Sequence, residues 1–172
     1  MEEQLVKIKI PLPPNDPSGG EAEWVWANPE GDGTFALRNV PTFAKGLSYG
    51  DSVRARIEDG IPVFERVVRH SGHSTYRIYA KTSCESAEVL NVLKTLQDMH
   101  CHIEPATNRI VNVDVLPEAD IYAVYKVMND AERASILEFE EGHCGHQLRP
   151  HSKPQVIREA SGAPSSDEQL LG

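Results

Sequence analysis

The sequence predicts an α+β protein: a small antiparallel β-barrel-like N-terminal half over residues 1–74, then a ferredoxin-like β-α-β-β-α-β half over residues 75–148. Three observations carry this. Up to His70 the chain reads as short alternating runs separated by glycine turns. After Thr75 two apolar stripes of helical period appear. Two short strand-like runs lie between those stripes, and one more follows the second.

Taken in order, Leu5–Leu12 alternates and is ended by PLPPNDPSGG, a long turn or flexible loop. Glu21–Asn28 alternates next, with Ala22, Trp24 and Trp26 on one side and Glu23, Val25 and Ala27 on the other. The two tryptophans are expected in the barrel core or at a contact between the halves. The turn PEGDG leads to an extended Thr34–Leu37. Asn39–Asp51 (NVPTFAKGLSYGD) has no clean period and reads as a crossover, with Phe43 and Leu47 packed inward and Asp51 or Ser48 satisfying turn amides. Asp51–Glu58 alternates, placing Val53, Ala55 and Ile57 in the core and Arg54 and Arg56 outside. Asp59-Gly60 turns the chain into a strand over Val63–His70.

In the second half, Tyr76, Ile78 and Ala80 alternate with Arg77, Tyr79 and Lys81. Ser83 or Ser86 caps a helix bearing Val89, Leu90, Val92, Leu93 and Leu96 and ending near His100. Ile103–Glu104 and Arg109–Val115 read as strands around PATN. Asp120 caps a helix over Ile121–Asp130, extending towards Ser135, and Leu137–Glu140 is a last short strand. Beyond about Arg149 the composition turns Pro-, Ser- and Gly-rich, so residues 149–172 are expected to be a disordered tail.

The chain has 172 residues and a formal charge of −9. That balance argues against broad nucleic-acid or membrane-surface binding, and it suits a partner with a basic surface. MEEQLVKIKI has neither the basic start nor the apolar core of a signal peptide, and no apolar run is long enough to span a membrane. Three scattered cysteines, Cys84, Cys101 and Cys144, argue against a disulfide framework and for a reducing, cytoplasmic setting.

The charge is unevenly spread. Arg38–Lys81 holds eight of the seventeen Lys and Arg residues and four of the twenty-six carboxylates, so it is formally +4. Within it lies VVRHSGHSTYR, Val67–Arg77. Histidine exchanges protons near pH 7, hydroxyls and glycine amides donate to oxyanions, and arginine grips them bidentately. Lys45, Tyr49, Arg69, His70, Ser71, His73, Ser74 and Arg77 are therefore the candidate ligand-binding residues, for a phosphate or carboxylate. The competing reading is a strand-to-strand corner in which the histidines bond backbone carbonyls. No catalytic residue is assigned, because Ser71 lacks a nucleophile elbow and no opposing base is evident.

His143-Cys144-Gly145-His146 offers zinc-type ligands, but a usable site would need Cys101, His100 or His102 alongside, and none is assigned. Asp114, Glu118 and Asp120 form an acidic patch that would need Glu138 or Glu140 to bind a metal.

The runs NVPTFAKGLSYGD and VVRHSGHSTYRI, together with WANPEGDGTFAL and VNVDVLPEAD, resemble the uncharacterised bacterial family DUF4265 over residues 5–145. The resemblance implies a small cytoplasmic protein of β-rich then α+β plan, with no agreed activity, cofactor or catalytic set. The Pro/Gly loop, the HCGH run and the extended tail depart from the family pattern.

The function expected from these features is a small cytoplasmic binding or protein-interaction protein, one version of which neutralises a basic partner. The alternatives are an enzyme or binding protein for a small anionic ligand, and an RNA-associated module. The sequence names no cofactor.

Overall fold

The computed structural model describes residues 4–150. The tail expected over residues 149–172 lies almost wholly outside the described residues. The molecule is a mixed α+β protein of nine strands and two helices among the described residues: β1 (Val6–Pro11), β2 (Ala22–Gly31), β3 (Thr34–Leu37), β4 (Ser52–Glu58), β5 (Ile61–Arg69), β6 (Ser74–Ala80), α1 (Ala87–Asp98), β7 (Cys101–Pro105), β8 (Ile110–Val115), α2 (Ile121–Arg133) and β9 (Leu137–His143).

The strands form two sheets. In the first, β1 to β5 pair antiparallel in sequence order, and β1 meets β5 in one parallel pair, Lys9 with Val63. In the second, the order is β7-β8-β6-β9, antiparallel throughout. Each sheet has its own apolar cluster. Ile8, Ile10, Val25, Leu37, Leu47 and Val53 are the centre of the first. In the second, Tyr76, Ile78, Val111, Val113, Leu137 and others pack against Val89, Leu93 and Leu96 of α1 and Val124 and Met128 of α2. Both helices thus cover one face of the second sheet.

Helix starts follow local chemistry. Ser86, rather than Ser83, caps α1, its hydroxyl accepting from the Val89 amide. Asp120 accepts from the Tyr122 and Ala123 amides at the start of α2. The α1 helix stops at Asp98, and His100 beyond it takes a left-handed conformation, φ 61°.

The alternation of β2 has the opposite sense from that expected. Val25 and Ala27 are fully buried, whereas Trp24 and Trp26 are 47% and 45% exposed. Glu23 explains how a carboxylate can sit on the inner side: it accepts the amides of Thr42, Phe43 and Ala44 and so pins the crossover loop. Ile57, expected inside, is 64% exposed where the β4–β5 ribbon runs out to its turn.

The other face of the second sheet is polar and meets the crossover loop, residues 39–51. Arg77 donates to the Phe43 carbonyl, Asn112 to Thr42 Oγ1 and Thr75 to the Leu47 carbonyl. Glu104 accepts the Val40 amide, and the Gly46 amide donates to the Gly142 carbonyl of β9. The loop is therefore the layer between the two sheets.

Because three amides converge on Glu23, Glu23→Ala leaves them without their charged acceptor. A loss of about 3 kcal/mol in unfolding free energy is expected by denaturant titration. A change within about 0.5 kcal/mol would show that the loop is held by its apolar side chains instead.

Candidate functional site

Where the crossover loop, the β5–β6 corner and the end of β9 meet, carboxylates and imidazoles are interleaved. Asp51 sits at the entry to β4 with no exposure. Its Oδ1 accepts the Ser71 amide at 2.8 Å and its Oδ2 accepts the Ser48 amide at 2.9 Å, so it serves the turn as expected and also holds the histidine loop. His70 Nδ1 lies 3.2 Å from the same Oδ2. The His70 ring stacks on that of His143 from β9, with centroids 4.4 Å apart and planes 16° from parallel. Burial, and the neighbouring His70, hold His143 below its ordinary pKa and favour the neutral imidazole. Its Nε2 is buried with no hydrogen-bond partner among the described residues. Asp51, His70 and His143 are the group able to hold a metal ion, with one ligand atom of each within 4.8 Å of the others.

A second group centres on Asp114 of β8. His73 Nδ1 is 2.6 Å from Asp114 Oδ1, and His102 Nδ1 is 3.6 Å from Oδ2. The Tyr49 ring leans on His73 at 5.5 Å. Burial pushes the Asp114 carboxyl above its ordinary value of 3.8, and the His73 bond offsets this only in part. Burial likewise raises Glu104 from 4.5; the Val40 amide opposes the rise and the Asp114 charge adds to it.

Ser74 starts β6 wholly buried. Its hydroxyl lies 2.7 Å from His146 Nδ1, and His146 Nε2 lies 3.0 Å from the Leu116 carbonyl. A carbonyl only accepts, so Nε2 carries the proton and Nδ1 accepts from Ser74. The Ser74 oxygen in turn accepts the Gly145 amide at 2.9 Å. With its hydroxyl shut from solvent, Ser74 acts as a clasp holding the chain after β9 against the histidine loop. A methyl group on Gly145 would collide with the His73 carbonyl oxygen, so only glycine fits there.

Arg77 and Lys45 belong to another neighbourhood. Arg77, 2% exposed, has its Nε 3.4 Å from Glu140 Oε1. Its Nη2 has no hydrogen-bond partner among the described residues. Lys45 Nζ lies 3.7 Å from Glu140 Oε2. Tyr79 donates to Glu140 at 2.5 Å, and its phenol is pushed up to about 12 by burial and by that bond. These side chains, with Asp16, Phe43 and Ile110, line a cavity of about 330 Å³.

The eight residues singled out in the sequence are thus distributed. Tyr49, His70 and Ser71 gather round Asp51, with Ser71 Oγ donating to the Tyr49 carbonyl. His73 turns to Asp114, and Ser74 to His146. Lys45 and Arg77 share Glu140, and Arg69 points out to Glu30 at 3.5 Å. The HCGH run does not join His100, His102 or Cys101: His143 goes to His70, Cys144 and His146 go to Ser74, and Cys101 is buried in the core. Asp114 meets histidines rather than Glu138 or Glu140, which pair with Lys81 and with Lys45 and Arg77. Asp51, Asp114 and His143 were missed as members of one region, since nothing local in the sequence marks them as neighbours of the histidine loop.

A different surface is formed on the outside of β1 and β2. Trp24 and Trp26 stand opposite Lys9 and Lys7, and Lys7 Nζ lies 4.8 Å from the Trp26 ring centre.

Raised carboxyl pKa values mean that the folded chain keeps its protons to higher pH than the unfolded chain. The stability these protons contribute is complete below the unfolded values and is lost as pH rises through the folded ones. Urea titrations from about pH 4 upward should show that loss, and Asp114→Asn and Glu104→Gln should each flatten it relative to the parent; parallel curves for all three would rule out this origin. Gly145→Ala should lower unfolding free energy by about 1–3 kcal/mol, because backbone cannot rotate away from the added methyl; an unchanged denaturation midpoint would mean the clasp is not under tension.

The chain is similar to a hypothetical protein from Neisseria gonorrhoeae of known crystal structure. The two are 21% identical, with a TM-score of 0.73, and the match covers 86% of this chain and 100% of that one. At that identity the likeness speaks for the fold. No curated protein matches. The model of the family described as a domain of unknown function, DUF4265, matches residues 23–139, spanning both sheets and the crossover loop between them, and the chain belongs to that family.

Proposed function

We propose that this chain is a small cytoplasmic protein-interaction protein whose contact surface is the outer face of β1 and β2. The observation that carries the reading is the exposure of Trp24 and Trp26 side by side on one strand, at 47% and 45%. Tryptophans are enriched among residues that dominate binding energy, and two about half exposed on one face form a ready anchor. Lys7 and Lys9 frame them, while Glu23 points to the crossover loop. This face therefore suits a partner whose contacting side is acidic or neutral. The basic partner suggested by the net charge of −9 fits the carboxylates of α2 and β9 better, where Glu132, Glu138 and Glu140 adjoin. Three free cysteines favour a reducing compartment. No helix among the described residues is long and apolar enough to cross a membrane.

The architecture supports such a role by analogy only. We read the ring β1-β2-β3-β4-β5 as barrel-like and the order β7-β8-β6-β9, with both helices on one face, as ferredoxin-like. Two other readings have an observation in their favour. The Trp–Lys pairing is also the chemistry of a stacking platform for single-stranded RNA. The cavity at Arg77 and Lys45, with an unpartnered Nη2, suits a small ligand bearing an anionic group.

The test is affinity capture from the native host with the parent chain and with a Trp24→Ala/Trp26→Ala variant, beside fluorescence titration with a single-stranded RNA oligonucleotide. Both side chains are surface-exposed, so the variant should melt as the parent does. Retention of a specific protein by the parent, weakened at least thirtyfold (about 2 kcal/mol) in the variant, is the expected result. Equal retention by both chains would remove the surface from consideration. Salt-dependent RNA binding lost in the variant would transfer the assignment to nucleic acid.

A further inference from the structure

We propose that Asp51, His70 and His143 form a binding site for a divalent transition metal of the zinc class. The site is separate from the Trp24–Trp26 surface and independent of the function proposed for it. Its three ligand atoms lie within 4.8 Å of one another, and one pair, His70 Nδ1 and Asp51 Oδ2, is 3.2 Å apart. Zinc bonds of about 2.0–2.2 Å at tetrahedral angles set neighbouring ligand atoms roughly 3.3–3.6 Å apart. The Asp51–His70 pair, at 3.2 Å, is close to that spacing, and the stacked His143 ring must turn out of its parallel alignment to aim a nitrogen at the same ion.

Two further features fit a metal better than a structural corner. The His70 and His143 rings lie against each other with centroids 4.4 Å apart, and of the two only His70 is paired with Asp51. His143 Nε2 is buried with no hydrogen-bond partner among the described residues, a vacancy that coordination would fill. The Asp51 carboxylate is fixed by the Ser48 and Ser71 amides, the kind of surrounding support that orients a ligating carboxylate. His70 is about half exposed, so a fourth position would open to solvent. Two imidazoles and one carboxylate select zinc, cobalt or nickel over calcium or magnesium, whose ligands are oxygens. The ligands also come from both sides of the crossover loop: Asp51 and His70 flank β4 and β5, and His143 ends β9. A bound ion would tie the two sheets together at their junction.

The experiment uses the full chain, stripped with a chelator and titrated with zinc chloride by calorimetry and with cobalt chloride by visible absorption. Asp51→Asn is avoided as the main variant because Asp51 also holds two backbone amides. His70→Ala and His143→Ala are used instead, with His100→Asn, exposed beyond the end of α1 and outside the clasp, as the control. The parent is expected to bind one ion, to show the intensified absorption of four-coordinate cobalt, and to melt at higher temperature with zinc present. Each of the first two variants should weaken binding at least tenfold and abolish the zinc-dependent melting shift, while the control retains both. The proposal is overturned if the parent binds no ion at equimolar micromolar concentrations. It is equally overturned if His70→Ala and His143→Ala bind as the parent does, or if His100→Asn removes the binding instead.

Discussion

The arrangement rests on one fully buried carboxylate. Asp51 takes the amides of Ser48 and Ser71 and so joins a turn in the crossover loop to the corner between β5 and β6. A carboxylate so deep in protein is tolerable only when hydrogen bonds replace its water. Its placement fixes where His70 can lie, and the His70 ring in turn gives His143 a surface to stack on. The sheets have separate apolar clusters, so hydrophobic packing alone leaves their mutual register loosely specified. Directional bonds from the polar face of the second sheet to the crossover loop supply that register, including the buried contact of Ser48 Oγ with Thr75 Oγ1 at 2.8 Å.

This polar junction explains which parts of the molecule were legible beforehand. Periods of two and of 3.6 depend on near neighbours, so the strands, both helices and the Asp120 cap follow from the sequence. The sense of an alternating strand does not follow when both sides carry mixed residues. In β2 the inner side holds Glu23, whose acceptor role becomes visible only once residues 42–44 are folded above it. Hydropathy therefore pointed the tryptophans inward, and one long-range carboxylate reversed the assignment. The exposed Ile57 has a simpler cause, since alternation does not register where a ribbon passes beyond its sheet.

The histidine loop was recognisable as a concentration of chemistry, but its companions were not. Asp51, Asp114, His143 and His146 reach it from the crossover loop, β8, β9 and the turn after β9. HCGH looked like one unit because four residues are contiguous. The chain there leaves a strand and turns, so His143 and His146 face different partners. A similar division parts Arg69 from Arg77: the former ends β5 and reaches Glu30, while the latter lies in the middle of β6 and is covered by the crossover loop.

The two carboxylate–imidazole pairs differ in a way that assigns them different work. His73 has a side-chain exposure of 17% and is pressed between Asp114 and the Tyr49 ring. His70 has a side-chain exposure of 48%, and its neighbour His143 brings a nitrogen with no hydrogen-bond partner among the described residues. A pair whose polar atoms are bonded and shielded is locked in place, because removing one partner leaves the other buried without its hydrogen bond. A pair that opens to solvent beside an unsatisfied atom can exchange its contacts for those of an incoming group without unmaking the core. By that criterion the His73–Asp114 side is the fixed wall of the junction and the His70–His143 side is its accessible mouth. Exchange with solvent, metal or ligand should therefore begin at the β5–β6 corner and the end of β9, the two segments that Asp51 and Ser74 hold in place.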